Sequence, residues 1–280
     1  MTRPAASPPT FHQRRWRVEA RDPVGTLLVV HGLSEHSGRY DGLAAAATAA
    51  GFDMAAVDLY GHGESPGRRG HIRSFEADHL GAVDALVRRV EKQQPDSPLV
   101  LVGHSLGGLI AARWAQRRVF ARRLRGLVLI TPFIETRMSI PGWKLAGAGA
   151  LRSVLPTVRL GTGIADEDLF REAAERRRFA ADPLVHRKIS AGHWATLTEQ
   201  RQRLRADAAE LDIPTLVLLA GDDRVVSTDA ARELAGRMPT ATVIEYPDAY
   251  HALLHDPVAP KVMLDLIAWA QARTEVRTEV

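Results

Sequence analysis

The chain has 280 residues, enough for one large α/β domain with a full core and a modest insertion. It contains no cysteine, which excludes a disulfide framework, a thiol nucleophile and any thiolate-held metal or cluster. Net charge is +4, but the arginines are spread along helix-like segments as solvated faces, and no apolar run reaches the length of a membrane span.

Residues 1–10 are rich in Pro and Ser and read as a disordered lead-in. Segments 11–20 and 26–30 read as strands, the second almost purely apolar and therefore buried on both faces. Tyr40–Ala50 reads as a helix stopped by Gly51. A strand over Asp53–Leu59 and an amphipathic helix over Phe75–Val90 follow. Next come a buried strand over Pro98–Val102, a helix over 106–119 and a strand over Gly126–Ile130. Late in the chain, strands at Thr215–Ala220 and Thr242–Tyr246 alternate with helices at 228–237 and 258–273. Short apolar strands alternating with amphipathic helices predict a mostly parallel central sheet with helices on both faces.

Residues 133–210 break this rhythm. They are helical in composition, carry no clear apolar strand, and separate two strands that belong in one sheet. The segment reads as a helical cap over the carboxyl ends of the strands. The core is then 11–132 together with 211–273, and 274–280 is a frayed tail. Within the cap, Ile140–Leu160 holds Trp143, many aliphatics and three basic residues without an acid. Transient contact with a membrane surface and simple packing onto the core fit this stretch equally well.

Residues 103–107 read Gly-His-Ser-Leu-Gly, directly between a buried strand and a helix start. A sharp strand-to-helix turn there lifts the hydroxyl of Ser105 above the sheet edge and needs small neighbours, which Gly103, Gly107 and Gly108 supply. Ser105 is the candidate nucleophile. His104 is expected to point away from the site and to serve structure only. A serine hydroxyl needs a base, and the base needs an acid to hold its tautomer. His251 lies in the loop after the last strand. Two aspartates follow Thr215–Ala220, and Asp223 is favoured over Asp222 as the acid. Attack on an ester also needs backbone N–H donors for the developing oxyanion. Leu106, next to the nucleophile, and Leu33, in the loop after the first buried strand, are the candidates.

Together these residues resemble the monoacylglycerol lipase and lysophospholipase branch of the α/β hydrolases, which includes serine aminopeptidase-like enzymes. The resemblance rests on His31-Gly32-Leu33-Ser34-Glu35-His36-Ser37-Gly38-Arg39-Tyr40 and on Asp58-Leu59-Tyr60-Gly61-His62-Gly63-Glu64-Ser65. Gly103-His104-Ser105-Leu106-Gly107-Gly108, Tyr250-His251 and the cap residues Asp182-Pro183-Leu184 also fit, so the match spans roughly residues 20 to 273. Ala220 departs from it, standing where the branch usually has glycine before the acid.

The resemblance implies an α/β-hydrolase fold and hydrolysis of a single acyl chain from a glycerol or lysophospholipid backbone. It implies no cofactor and no metal. The expected partner is a small acyl-ester substrate of the lipid class, with no nucleic acid; oligomeric state is left open, and the expected compartment is the cytoplasm. A carboxylesterase for shorter acyl esters is the alternative, and a non-catalytic lipid or small-molecule binder on the same fold the more distant one.

Overall fold

The computed structural model describes residues 10–19, 21–117, 123–137 and 155–274. Seven strands form one sheet: β1 (Gln13–Trp16), β2 (Gly25–Val30), β3 (Phe52–Val57), β4 (Leu99–His104), β5 (Leu124–Ile130), β8 (Thr215–Ala220) and β9 (Ala241–Tyr246). Their order across the sheet is β1-β3-β2-β4-β5-β8-β9, parallel throughout except for β1, which pairs antiparallel with β3. Successive residues of the central strands feed two separate cores. Leu28, Val30, Leu101 and Leu129 face one, while Leu27, Val29, Val102 and Ile130 face the other. That is why these strands read as continuous apolar runs instead of alternating ones.

Helices α1 (Asp41–Ala49) and α8 (Ala259–Thr274) cover one face of the sheet through Leu43, Ala47, Val262 and Leu266. Helices α2 (Gly81–Gln93), α3 (Leu106–Ala115) and α7 (Thr228–Gly236) cover the other. After β3 the chain crosses back to place β4 on the far side of β2. The loops leaving the carboxyl ends of β2 and β4 therefore meet, as expected at the switch point of a doubly wound sheet.

The observed elements depart from the sequence reading in three places. The N-terminal strand is only Gln13–Trp16, because only those residues pair with β3. The helix read over Phe75–Val90 opens as a wide π turn, Phe75–Leu80, before α2. Asp78 is turned inward there to accept from the Arg73 and Ser74 N–H groups, and the extra residue brings Phe75, Asp78, His79 and Leu80 all inside. Residues 155–210 are not purely helical either. Besides α4 (Asp166–Leu169), α5 (Ala173–Ala181) and α6 (Ala191–Ala206), they hold a two-stranded antiparallel pair, β6 (Arg159–Gly161) with β7 (Lys188–Ser190). Each of these strands has three residues and one apolar side chain, too little to leave a periodic signal. Most of Ile140–Leu160, the lead-in and the tail fall outside the described residues. Among the described residues no helix is long and apolar enough to cross a membrane.

Histidines gather where residues 155–210 meet the core. The His62 ring lies 5.2 Å from His31 and 4.6 Å from His186, and His79 Nε2 is 2.9 Å from His193 Nε2. Burial, reinforced by Arg69, pushes His186 down to about 4; burial also brings His193 down to about 4, with His186 adding to it. In the unfolded chain both sit near the ordinary histidine value, so below it the unfolded state takes up protons that the folded state refuses. Stability is therefore lost as pH falls from about 6.5 toward 4, and we expect the melting temperature at about pH 4.5 to lie about 5 °C or more below that at about pH 7.5. Scanning calorimetry giving an equal or higher midpoint at the acid pH would contradict this account.

Candidate active site

The turn from β4 into α3 presents Ser105 with φ +51° and ψ −114°, a left-handed backbone that costs a serine about 1–3 kcal/mol. Its geometry explains the glycines. A Cβ on Gly103 would strike the Gly107 carbonyl, and a Cβ on Gly107 would strike the Val30 carbonyl of the neighbouring strand. The turn is held from below by the Ser105 N–H donating to the Ile130 carbonyl at 2.9 Å.

The structure brings Ser105, His251 and Asp223 into one hydrogen-bonded line. His251 Nδ1 lies 2.8 Å from Asp223 Oδ2, and His251 Nε2 lies 2.9 Å from Ser105 Oγ. The carboxylate can only accept, so Nδ1 carries the proton and Nε2 is left to accept from the serine hydroxyl. Asp223 is itself oriented: its Oδ1 accepts from the Val225 and Val226 N–H groups, both at 2.9 Å. Asp222 faces solvent and pairs with Arg224 instead. The histidine loop is anchored by Thr131 Oγ1 donating to the His251 carbonyl at 3.0 Å.

Leu33 follows β2 and Leu106 opens α3, so both lie at the same mouth of the sheet. Among the described residues neither N–H donates to a protein acceptor. Sequence reasoning missed what holds this loop. His31 Nδ1 donates to the Gly32 carbonyl at 2.7 Å, while its Nε2 accepts from the Leu59 N–H at 3.0 Å. The Gly32 N–H donates to Glu35 Oε1 at 2.9 Å, and the Ser37 N–H to Asp58 Oδ1 at 2.7 Å. Asp58, noted in the sequence only as part of a motif, thus fastens the loop to the following turn, since its other oxygen accepts from the Glu64 N–H at 2.8 Å.

His104 needs correcting. It does not point away: its ring is 5.3 Å from that of His251, and its Nδ1 donates to Glu35 Oε1 at 2.6 Å. Burial by itself would raise the Glu35 carboxyl, but the His104 imidazole and the Arg39 guanidinium outweigh it and hold the carboxyl well below the usual range. A buried imidazole–carboxylate couple therefore ties the loop after β2 to the turn after β4. No alternation or spacing signals such a contact between residues 69 apart. His255 stands on the turn after His251, its ring edge-on to Phe170.

Ser105 opens into a small pocket, of about 40 Å³, that it lines together with His104 and His251. Ile164, Leu169, Phe170, Phe179 and Ala252 form an apolar wall, while Ser34, Glu35 and Arg187 add polar groups. Among the described residues no cluster of side chains is arranged to hold a metal ion.

The chain matches the family described as serine aminopeptidase, S33, over residues 21–258. It belongs to that family. It is 30% identical over 256 residues to a monoacylglycerol lipase of Mycolicibacterium smegmatis, covering 89% of this chain and 88% of that protein. It is 27% identical to an abhydrolase domain-containing protein of Dictyostelium discoideum, spanning 95% of this chain but only 28% of that longer protein. Among solved structures, a monoacylglycerol lipase of Paleococcus ferrophilus superposes with a TM-score of 0.83 at 28% identity, covering 94% of this chain and 99% of the other. This S33-family chain is thus an α/β-hydrolase and a carboxylic ester hydrolase, as its resemblance to lipases implied.

Proposed function

We propose that this S33-family hydrolase cleaves monoacylglycerols or lysophospholipids, with Ser105 as nucleophile, His251 as general base and Asp223 as its orienting acid. The observation that carries the reading is the Ser105–His251–Asp223 line, whose Ser105 and His251 open onto a pocket lined by Ile164, Leu169, Phe170, Phe179 and Ala252 together with Ser34, Glu35 and Arg187. The apolar wall suits one acyl chain and the polar groups suit a hydroxylated alcohol portion. Relatives named as monoacylglycerol lipases support the same substrate class.

In the first half-reaction His251 Nε2 takes the Ser105 proton as Oγ attacks the ester carbonyl. The Leu33 and Leu106 N–H groups stabilise the oxyanion, and preorganised donors of this kind contribute about 3 kcal/mol each. The same imidazole hands the proton to the departing alcohol, leaving an acyl-serine. Water then attacks that ester, giving its proton to His251, and Ser105 leaves with the proton as the fatty acid is freed. Residues 133–210 act in this reading as a cap over the acyl pocket, making passing contact with a lipid surface. We assign the enzyme to the cytoplasm.

A hydrolysis panel tests the substrate class: monoacylglycerols, lysophosphatidylcholines and p-nitrophenyl esters, each from butyryl to oleoyl. kcat/KM is expected to rise with acyl length through the medium chains, because each buried methylene contributes about 0.8 kcal/mol. A profile that peaks at butyryl and collapses beyond it would assign the chain as a short-acyl carboxylesterase instead.

A further inference from the structure

The Asp182-Pro183-Leu184 triplet has a part in the structure that the reaction above leaves unused. Proline disfavours the helical region for the residue before it, so α5 stops at Ala181 and Asp182 is extended, with φ −77° and ψ 116°. Its Oδ1 turns back to accept from the Leu184 N–H at 2.9 Å. Oδ2 is thereby left to accept from His36 Nε2 at 2.8 Å, across 146 residues of chain. The tautomer is settled locally. His36 Nδ1 accepts from the Gly38 N–H at 3.1 Å, so the ring proton sits on Nε2 and points at the carboxylate. Both side chains are largely buried, at 10% and 20% exposure, which shields the contact from competing water.

His36 stands three residues from Leu33, in a loop whose intervening Ser34 is strained at φ +71°. The core holds this loop through Glu35 and through the Ser37 N–H. Residues 155–210 hold it through His36, and through the Arg39 guanidinium lying 4.9 Å from the Phe179 ring and 5.4 Å from Phe170. The same segment also reaches the histidine loop, where the Ala252 N–H donates to the Leu169 carbonyl at 3.1 Å. One stretch of chain therefore grips the loops on both sides of Ser105.

We infer that Asp182 is a positioning residue: acting through His36, it holds the Leu33 N–H where the oxyanion forms, so that the site is complete only when residues 155–210 are seated. The inference rests on the roles proposed above for Ser105 and Leu33. A segment that merely admitted substrate would set KM. A latch on an oxyanion donor sets kcat, because the bond it protects matters most in the transition state.

The test is steady-state hydrolysis of p-nitrophenyl butyrate by Asp182→Ala, His36→Ala, the double variant and His36→Gln, with the fold checked by circular dichroism and melting. Asp182→Ala is expected to lose about tenfold to a hundredfold in kcat with KM within about twofold. Affinity for butylboronic acid, whose adduct places a boron-bound oxygen in the oxyanion position, should fall by a similar factor. His36→Ala should match Asp182→Ala and the double variant should be no worse, since both remove one contact. His36→Gln, which keeps an N–H donor at the Nε2 position, should retain most of the activity. A kcat for Asp182→Ala within twofold of wild type, losses that multiply in the double variant, or a loss confined to KM would each overturn the latch. If Asp182→Ala does not fold, His36→Gln against His36→Ala decides, and equal activity of those two overturns it. Fluorophosphonate labelling of wild type and Ser105→Ala runs in parallel. An unlabelled wild type or an active Ser105→Ala sinks the underlying reading, whereas normal labelling with an unimpaired Asp182→Ala sinks the latch alone.

Discussion

Replacing Ser105 with alanine is expected to lower kcat for p-nitrophenyl butyrate by roughly a millionfold while leaving the fold in place. The loss is large because no nearby group can substitute. His251 Nε2 reaches the Ser105 hydroxyl at 2.9 Å, and without it the imidazole can only recruit water, which is neither aligned nor held. The fold should survive because Ser105 contributes its backbone to the turn, through bonds to Ile130 and Gly108, and alanine keeps both. Alanine shares the positive-φ strain of the turn without adding to it. Kinetics should be paired with a melting curve and fluorophosphonate labelling. An alanine variant that melts like the wild type and still turns over at a tenth of its rate would remove Ser105 from the mechanism.

Asp223→Asn is expected to cost about ten-thousandfold in kcat, and the structure supplies the reason. Asp223 Oδ1 accepts from two backbone N–H groups, at Val225 and Val226, so the oxygen of an asparagine amide would be retained there. Its NH2 would then face His251 Nδ1 and demand a lone pair from it. The ring would carry its proton on Nε2, where Ser105 needs an acceptor, and the base would be switched off with little change in shape. Asp222→Asn is the matched control. Its carboxylate is exposed and paired with Arg224 in solvent, where such pairs contribute roughly 0–1 kcal/mol, so activity should stay within about twofold. Equal losses in the two variants would mean that the acid had been assigned to the wrong neighbour.

Much of this architecture was legible before any coordinate, wherever the signal was local. The apolar runs of β2, β4, β5 and β8 come out as buried strands because each is flanked by chain that must turn. The helix stop at Gly51 holds because that residue adopts φ +94°. The Gly-His-Ser-Leu-Gly turn could be read because its glycines answer to clashes within a few residues and with one adjacent strand. The errors share a cause of the opposite kind. The π turn at Phe75–Leu80 depends on Asp78 reaching back to Arg73 and Ser74, and the β6–β7 pair joins strands nearly thirty residues apart with no hydrophobic period to announce them.

His104 shows the boundary most sharply. From the sequence it is one histidine beside a candidate nucleophile, with nothing to say which way its ring turns. Its direction follows from Glu35, and Glu35 lies within reach only because β2 and β4 are neighbours in the sheet. The sequence by itself determined the buried central strands, the strained turn and a short set of candidate groups, since backbone sterics and apolar periodicity act over a few residues. Tertiary structure alone decided which of those groups touch: strand order and the seating of residues 155–210 set distances across the fold. Hydrogen bonds such as Asp223–His251 and Asp182–His36 exist only once those distances close.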